Sequence, residues 1–194
     1  MYTVLLDSSN TLLCVGLAKE NKLIASTIYE AWQEQSEHMI PELDKLLSSF
    51  NVDKKDIDSV MVAIGPGSYT GVRISLTIAK VMSLALKIPL YPVSSLRILK
   101  FNEKPSICCV NARSNRSYVG MYEGDKILLE DTIMNNDELK LLIEHNPSFT
   151  LCGNTKYLNL EGYEGNSLEE MISLKDSLIP LEDAMGLKPV YLKD

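Results

Sequence analysis

The stretch IGPGSYTGVRIS, residues 64–75, decides how the sequence is interpreted, because its three glycines and one proline separate two long apolar runs. The run before it, SVMVAI (59–64), is typical of a buried strand, and VRISLTIAKVMSLAL (72–86) is long enough for a helix. A glycine-rich turn between a strand and a helix is a place where proteins often bind phosphate. The first question is therefore whether this turn binds a nucleotide.

The glycine turn lacks the residues that define the known phosphate-binding loops. A Walker A loop ends in Gly-Lys-Ser/Thr, whereas Val72 and Arg73 follow Gly71 in this sequence. A dinucleotide-binding fingerprint needs glycine at position 70, where the sequence has Thr70. We therefore expect a tight structural turn in which Ser68 or Thr70 caps the following helix, with direct phosphate binding as the alternative.

Composition and charge exclude several classes of protein. The chain has 194 residues, of which 45% are hydrophobic, and 19 Lys and Arg against 26 Asp and Glu give a net charge of −7. It can bury one good core or two small ones, but it is too acidic to bind nucleic acid without a partner, since that needs a basic surface. No uncharged stretch approaches the roughly 20 residues that cross a bilayer, and the N-terminus has no signal-peptide pattern. We expect a cytoplasmic protein that does not contact membranes.

Cysteine and histidine offer no metal site in the sequence. All four cysteines lie in apolar, strand-like runs without CxxC spacing, which favours buried and reduced thiols. They are Cys14, Cys108, Cys109 and Cys152. The only two histidines, His38 and His145, form neither an HxxxH nor an HExxH motif, so we expect no bound metal.

Hydrophobic periodicity predicts the same order of elements twice along the chain. The first copy has strands at 2–7, 12–19 and 22–29, a helix at 36–50, a strand at 58–64 and a helix at 69–87. The second has strands at 106–112, 117–122 and 125–133, a helix near 136–146, a strand at 149–153 and a helix within 167–178. The sequence therefore predicts an α/β fold with a duplicated β-β-β-α-β-α unit, in two lobes at 1–100 and 101–194, the second one shortened.

The helix predicted at 69–87 has apolar residues around most of its circumference, so it must be covered on two sides. Its own sheet can cover one side, and we expect another protein subunit on the other, with the helix at 36–50 as the alternative cover. Arg73 and Lys80 lie on the narrow polar edge, where a cation can pair with a carboxylate of the partner. The predicted partner interface consists of Met39, Leu43, Leu47, Thr70, Arg73, Leu76, Ala79, Lys80 and Ser83.

The duplicated unit, with Asp7 ending the first strand before a polar turn, resembles the actin-like ATPase superfamily, which has a ribonuclease H-like (ASKHA) fold. Several stretches are similar to the bacterial TsaB (YeaZ) family in particular. They are GPGSYTGVRISLTIAK (65–80), SEHMIPELDKLL (36–47), PVSSLRIL (92–99), NARSNRSYVGMY (111–122) and KPVYLKD (188–194). The resemblance implies a non-catalytic partner of the TsaD enzyme in threonylcarbamoyl modification of the tRNA adenosine beside the anticodon.

The same resemblance implies how such a complex is composed. The expected partners are a TsaD-like catalytic subunit and a TsaE-like ATPase, and the chain alone is expected to form a homodimer. It would contact tRNA only through the complex. It would hold no cofactor of its own, because ATP and magnesium would be bound by the partner complex.

The sequence departs from the family pattern at positions that bear on nucleotide chemistry. In ATP-using relatives an acid ends the first strand of each lobe, but here Asn111 stands in the second lobe, and an amide is neither a charged magnesium ligand nor a base. In the family, a histidine usually precedes the Ser-Glu pair of the first helix, and Gln35 replaces it here. We therefore expect a vestigial nucleotide cleft at Asp7, Ser8 and Asn111, in which Asp7 alternatively caps its own turn. The competing hypothesis is a small ATP-dependent phosphotransferase or hydrolase that uses Asp7 and the glycine turn.

Overall fold

A computed structural model describes residues 1–192 and places the strands in two mixed sheets. The first sheet has the order β3-β2-β1-β4-β5, with strands β1 (Tyr2–Asp7), β2 (Leu12–Lys19), β3 (Lys22–Glu30), β4 (Ile57–Ala63) and β5 (Leu90–Val93). The second has the order β8-β7-β6-β9, with strands β6 (Ser106–Arg113), β7 (Arg116–Glu123), β8 (Lys126–Asn135) and β9 (Thr150–Cys152). In both sheets three antiparallel strands are followed by a strand parallel to the first, which confirms the predicted duplication.

Four α-helices cover these sheets, namely α1 (Gln35–Ser49), α2 (Tyr69–Leu86), α3 (Asn136–His145) and α4 (Ser167–Ser173). Helices α1 and α2 pack on one face of the first sheet, where alternate residues such as Val4 and Leu6 point towards them. Helix α3 packs on the second sheet through Leu139.

Helix α4 follows the second sheet in sequence but covers the first sheet. Its residues Leu168 and Met171 pack against Leu5 and Met61, on the face of the first sheet opposite to α1 and α2. The first sheet is therefore enclosed between two layers of helix. The division into two domains near residue 100 stays a prediction, and the structure adds that the end of the chain returns to the first sheet.

The four cysteines are all free and buried, as predicted. Burial raises the pKa of the Cys109 thiol to about 11, so this thiol stays protonated and unreactive at neutral pH. None of the helices within residues 1–192 is long and apolar enough to cross a membrane.

Residues 181–191 form an irregular segment outside the helices and sheets, which we call the C-terminal strap. Leu181 exchanges two backbone hydrogen bonds with Leu90 of β5, of 2.9 and 2.8 Å, and Ala184 is buried in the core beneath α2. Further on, the Val190 N–H donates to the Ile64 carbonyl at 2.7 Å. The C-terminal strap therefore runs from the edge of the first sheet to the glycine turn that precedes α2.

Candidate functional site

The glycine turn is interlocked with the turn between β1 and β2. The Ser68 N–H donates to the Ser9 carbonyl at 2.6 Å, and the Ser8 hydroxyl donates to the Gly71 carbonyl at 2.8 Å. Both Ser8 and Ser9 are buried. The Ser68 N–H, a backbone donor of the kind that binds phosphate in a nucleotide loop, is thus used by the chain itself.

Two of the glycines allow this close approach because they lack a side chain. A Cβ atom on Gly67 would lie 2.2 Å from the Ser9 carbonyl oxygen, and one on Gly71 would lie 1.9 Å from that of Ser8. Gly65 serves a different purpose, since its φ of +101° favours glycine and the Val190 carbonyl fills the place of its Cβ at 2.6 Å. The glycines therefore bring three segments into contact and leave no space between them.

The start of α2 confirms the predicted cap. The Ser68 side chain accepts a hydrogen bond from the Gly71 N–H at 3.2 Å, which satisfies one of the free donors of the first turn. Thr70 is exposed and does not serve as the cap. The glycine turn thus sets the direction in which α2 leaves the sheet.

Asp7 holds its own turn. Its Oδ1 atom accepts a hydrogen bond of 2.8 Å from the Ser9 N–H, and only 1% of the residue is exposed. Burial raises the pKa of the Asp7 carboxyl, and the hydrogen bonds from Ser9 offset this only in part. A carboxyl in this position is shielded from solvent and from any metal ion in the bulk.

Asn111 lies at the other lobe and also caps its own turn. Its Oδ1 atom accepts a hydrogen bond of 2.8 Å from the Arg113 N–H, and the residue is exposed at the hairpin between β6 and β7. Within residues 1–192 no hydrogen bond joins Asp7 to Asn111, and no group of three or more His, Cys, Asp or Glu is placed to hold a metal ion. Asp7 and Asn111 therefore each hold their own turn in this structure.

Sequence reasoning missed two contacts at this edge of the molecule. Gln35 is buried, and its Nε2 atom donates to the Asn10 carbonyl at 3.1 Å, so it supports the β1–β2 turn. The Arg113 guanidinium lies 5.9 Å from the ring centroid of Trp32, which links the loop before α1 to the second sheet. In the sequence, only the departure from the family pattern at position 35 could have drawn attention to the contact between Gln35 and Asn10.

Six of the nine residues predicted for the partner interface are buried within the chain itself. They are between 0 and 7% exposed because α1 and α2 turn them towards the first sheet and towards each other. The six are Met39, Leu43, Leu47, Leu76, Ala79 and Ser83. The small residues Ala79 and Ser83 let α2 pack closely within its own chain, and Ser83 donates to the Ile88 carbonyl at 2.6 Å.

Three residues of the predicted interface face outwards, and the C-terminal strap engages two of them. Arg73 Nε donates to the Tyr191 hydroxyl at 2.7 Å, and Lys80 Nζ donates to the Met185 carbonyl at 3.1 Å. Thr70 is exposed in the first turn of α2. The strap is a cover for α2 that the sequence did not predict.

Helix α2 also leaves an apolar surface in solvent. Val81 is 60% and Leu84 64% exposed, and their spacing from Arg73 and Thr77 puts all four on one side of the helix. We call these four residues the docking face. Ile40 on the neighbouring helix α1 is similarly exposed. An apolar surface of this kind beside a charged residue is typical of a protein interface.

Comparison with known proteins identifies the family. A family model described as TsaD, tRNA N6-adenosine threonylcarbamoyltransferase, matches residues 9–147. The tRNA threonylcarbamoyladenosine biosynthesis protein TsaB of Bacillus subtilis is 32% identical over 173 residues, which are 84% of this chain and 76% of that protein. A protein of the same name from Buchnera aphidicola is 34% identical over 122 residues, 60% of this chain and 58% of that protein.

A solved structure supports the same assignment at the level of the fold. YeaZ from Pseudomonas aeruginosa superposes with a TM-score of 0.80 at 21% identity, covering 98% of this chain and 99% of that one. The chain therefore has the two-lobed, actin-like α/β fold expected from its sequence. Together with the family model and the relative from Bacillus subtilis, this shows that the chain belongs to the TsaB (YeaZ) family.

Proposed function

We propose that the chain is a non-catalytic accessory subunit in the biosynthesis of tRNA threonylcarbamoyladenosine. Relatives in its family carry that process in their names. The observation that carries the non-catalytic part of the proposal is the interlock between the glycine turn and the β1–β2 turn. In this arrangement the carboxyl of Asp7 and the N–H groups of Ser9 and Ser68 are all engaged within the chain.

An actin-like enzyme needs these same groups free for its nucleotide. A phosphate is bound by open backbone N–H groups, and a magnesium ion by accessible carboxylate oxygens. Here a single added methyl group at Gly71 would already overlap the Ser8 carbonyl. We therefore propose that the chain has no nucleotide of its own and that ATP and magnesium are bound elsewhere in the complex.

The proposed partner is a TsaD-like catalytic subunit, which binds the docking face of α2. Exposed Val81 and Leu84 supply apolar area, and Arg73 supplies charge at the same surface. A TsaE-like ATPase joins the same complex. Because the net charge is −7, tRNA binds to the complex through the other subunits, in the cytoplasm where tRNA is modified.

Without its partner, the chain is expected to form a symmetric homodimer through the docking face. Burying Val81 and Leu84 against a second copy removes exposed apolar surface from water, and a two-fold axis satisfies both copies equally. Light scattering across a concentration series measures the mass. The Leu84→Arg variant is expected to shift the mass towards the monomer, and a wild-type monomer even at high concentration would contradict this prediction.

Replacing Asp7 with asparagine is expected to leave the activity of the complex nearly unchanged. Burial raises the pKa of the Asp7 carboxyl above its value in the unfolded chain. Its contribution to the stability of the fold is therefore fully present below the unfolded-state pKa and is lost as the pH rises through the folded-state pKa. Asparagine avoids the cost of burying a charge and keeps an oxygen that accepts the Ser9 N–H. The melting temperature of Asp7→Asn at neutral pH should therefore equal or exceed that of wild type.

Two results would favour an enzyme instead. One is a large loss of complex activity in Asp7→Asn while folding and assembly are intact. The other is micromolar ATP binding by the isolated chain in a calorimetric titration. Either would show that the Asp7 turn opens to accept a nucleotide.

A further inference from the structure

Three side chains from two segments form an open cluster at the first turns of α2. The Arg73 guanidinium carbon lies 3.8 Å from the ring centroid of Tyr69 and 5.7 Å from that of Tyr191. The two rings stack on each other, with centroids 4.9 Å apart and an angle of 25° between their planes. Tyr69 and Arg73 belong to α2, whereas Tyr191 belongs to the C-terminal strap, so the cluster forms only where the strap is docked.

The cluster holds Arg73 in place, and within residues 1–192 it contains no carboxylate that would neutralise the guanidinium. A guanidinium has five N–H donors, and the Nε donor is used by the Tyr191 hydroxyl at 2.7 Å. Among residues 1–192 no carboxylate lies within 4.0 Å of Arg73, and it makes no other hydrogen bond. All three side chains are exposed. Within the described part of the chain, the Nη1 and Nη2 edge of Arg73 is thus left for an incoming acceptor.

We propose that this cluster is a receptor for a carboxylate side chain of the protein that binds the docking face. The inference rests on the proposed function and specifies the chemistry of its partner contact. A carboxylate accepts two parallel hydrogen bonds from the Nη1 and Nη2 edge of a guanidinium. Because the two tyrosines already restrict the rotation of Arg73, less side-chain entropy is lost when the carboxylate binds.

The surroundings favour a protein carboxylate over the phosphate of a nucleic acid. Binding a nucleic acid requires several cations along one surface, but Lys80 on the same helix is already bonded to the Met185 carbonyl. One, two and three turns further along the same side, the next exposed residues are Thr77, Val81 and Leu84, of which the last two are apolar. A single cation beside an apolar strip matches the composition of a protein interface.

The inference also gives a role to the C-terminal stretch KPVYLKD, whose residues up to position 192 are described. Val190 anchors the strap to Ile64 at 2.7 Å, and this contact places Tyr191 beside α2. The strap therefore acts as a positioning element for Arg73. Loss of the Tyr191 side chain alone should weaken partner binding more than it weakens the fold.

The test is a calorimetric titration of the TsaD-like subunit into four forms of the full chain. These are wild type, Arg73→Gln, Tyr191→Ala and the control Lys126→Gln, which removes one exposed cation from the second sheet. We expect Arg73→Gln to weaken binding roughly 30-fold or more, as for loss of one partner of a desolvated charge pair. Tyr191→Ala should weaken it roughly 2- to 5-fold through loss of the ring and hydroxyl contacts. Lys126→Gln should match wild type.

Salt dependence separates this role from a merely structural one. In wild type, affinity should fall as salt rises, and Arg73→Gln should flatten that dependence while melting at the wild-type temperature. If Arg73→Gln binds the TsaD-like subunit as tightly as wild type while Leu84→Arg does not bind it, the proposed carboxylate receptor is contradicted and the docking face is supported. If the isolated chain binds tRNA and Arg73→Gln removes that binding, Arg73 binds a phosphate, and the proposal that it binds a protein carboxylate is contradicted. If wild type does not bind the TsaD-like subunit at all, the proposed function itself fails.

Discussion

Replacing Gly71 with alanine is expected to lower the melting temperature of the chain sharply. The new Cβ atom would lie 1.9 Å from the Ser8 carbonyl oxygen, far inside the contact distance of the two atoms, and both belong to backbone that is held on each side. Such overpacking costs roughly 3 kcal/mol, which corresponds to a decrease of roughly 6–12 °C for a chain of this size. Gly71→Val, with a larger and β-branched side chain, is expected to be worse.

A matched glycine provides the control. A Cβ atom on Gly186 would have no other atom within 4 Å, and the residue has no positive φ. Gly186→Ala should therefore melt at the wild-type temperature or slightly above it. Thermal unfolding followed by circular dichroism compares the two. If the two variants melt within about 2 °C of each other, a difference of about 0.5–1 kcal/mol in unfolding free energy, the two turns are not tightly interlocked.

Placing arginine at position 79 is expected to prevent folding, whereas arginine at position 84 should be tolerated. Ala79 is fully buried between α2 and the first sheet, so a charged side chain there has neither space nor a partner. An uncompensated buried charge costs roughly 3–5 kcal/mol, a large share of the roughly 5–15 kcal/mol that stabilises a typical domain. Leu84 is 64% exposed, and its replacement should change stability by less than about 0.5 kcal/mol.

Soluble expression and thermal melting distinguish these two variants. Insoluble or unfolded Ala79→Arg beside a normally folded Leu84→Arg would establish which side of α2 faces the chain's own sheet. A folded Ala79→Arg with a wild-type melting temperature would instead restore the original interpretation, in which Ala79 contacts a partner.

The strands and helices could be predicted because their apolar residues follow clear periods. Strands β1 and β2 were predicted with their observed ends, and α2 to within one residue. Strand β5 was missed because it has four residues, one of them Pro92, and lies beside the strap at the edge of the sheet. Proline is compatible with such an edge position but conceals it in the sequence.

The interface was harder to predict for a physical reason. A helix that is apolar nearly all round does not indicate which side faces its own sheet, so Leu76 and Leu84 look alike in the sequence. Small residues such as Ala79 permit close packing against any neighbour, whether it is a partner or the same chain. The C-terminal strap has no periodicity, and only three-dimensional contacts, such as those of Val190 with Ile64 and of Tyr191 with Arg73, reveal its position.

The most direct test of the docking function is a titration of the TsaD-like catalytic subunit into the wild-type chain and into Leu84→Arg, with both forms first shown to fold. Leu84 is one of the two exposed apolar residues of the docking face, so an arginine there should disrupt the interface without disturbing the core. We expect saturable binding by wild type and no measurable binding by Leu84→Arg. The absence of binding by wild type, or equally tight binding by the variant, would contradict the proposed role of α2 as the surface that joins the chain to its catalytic partner.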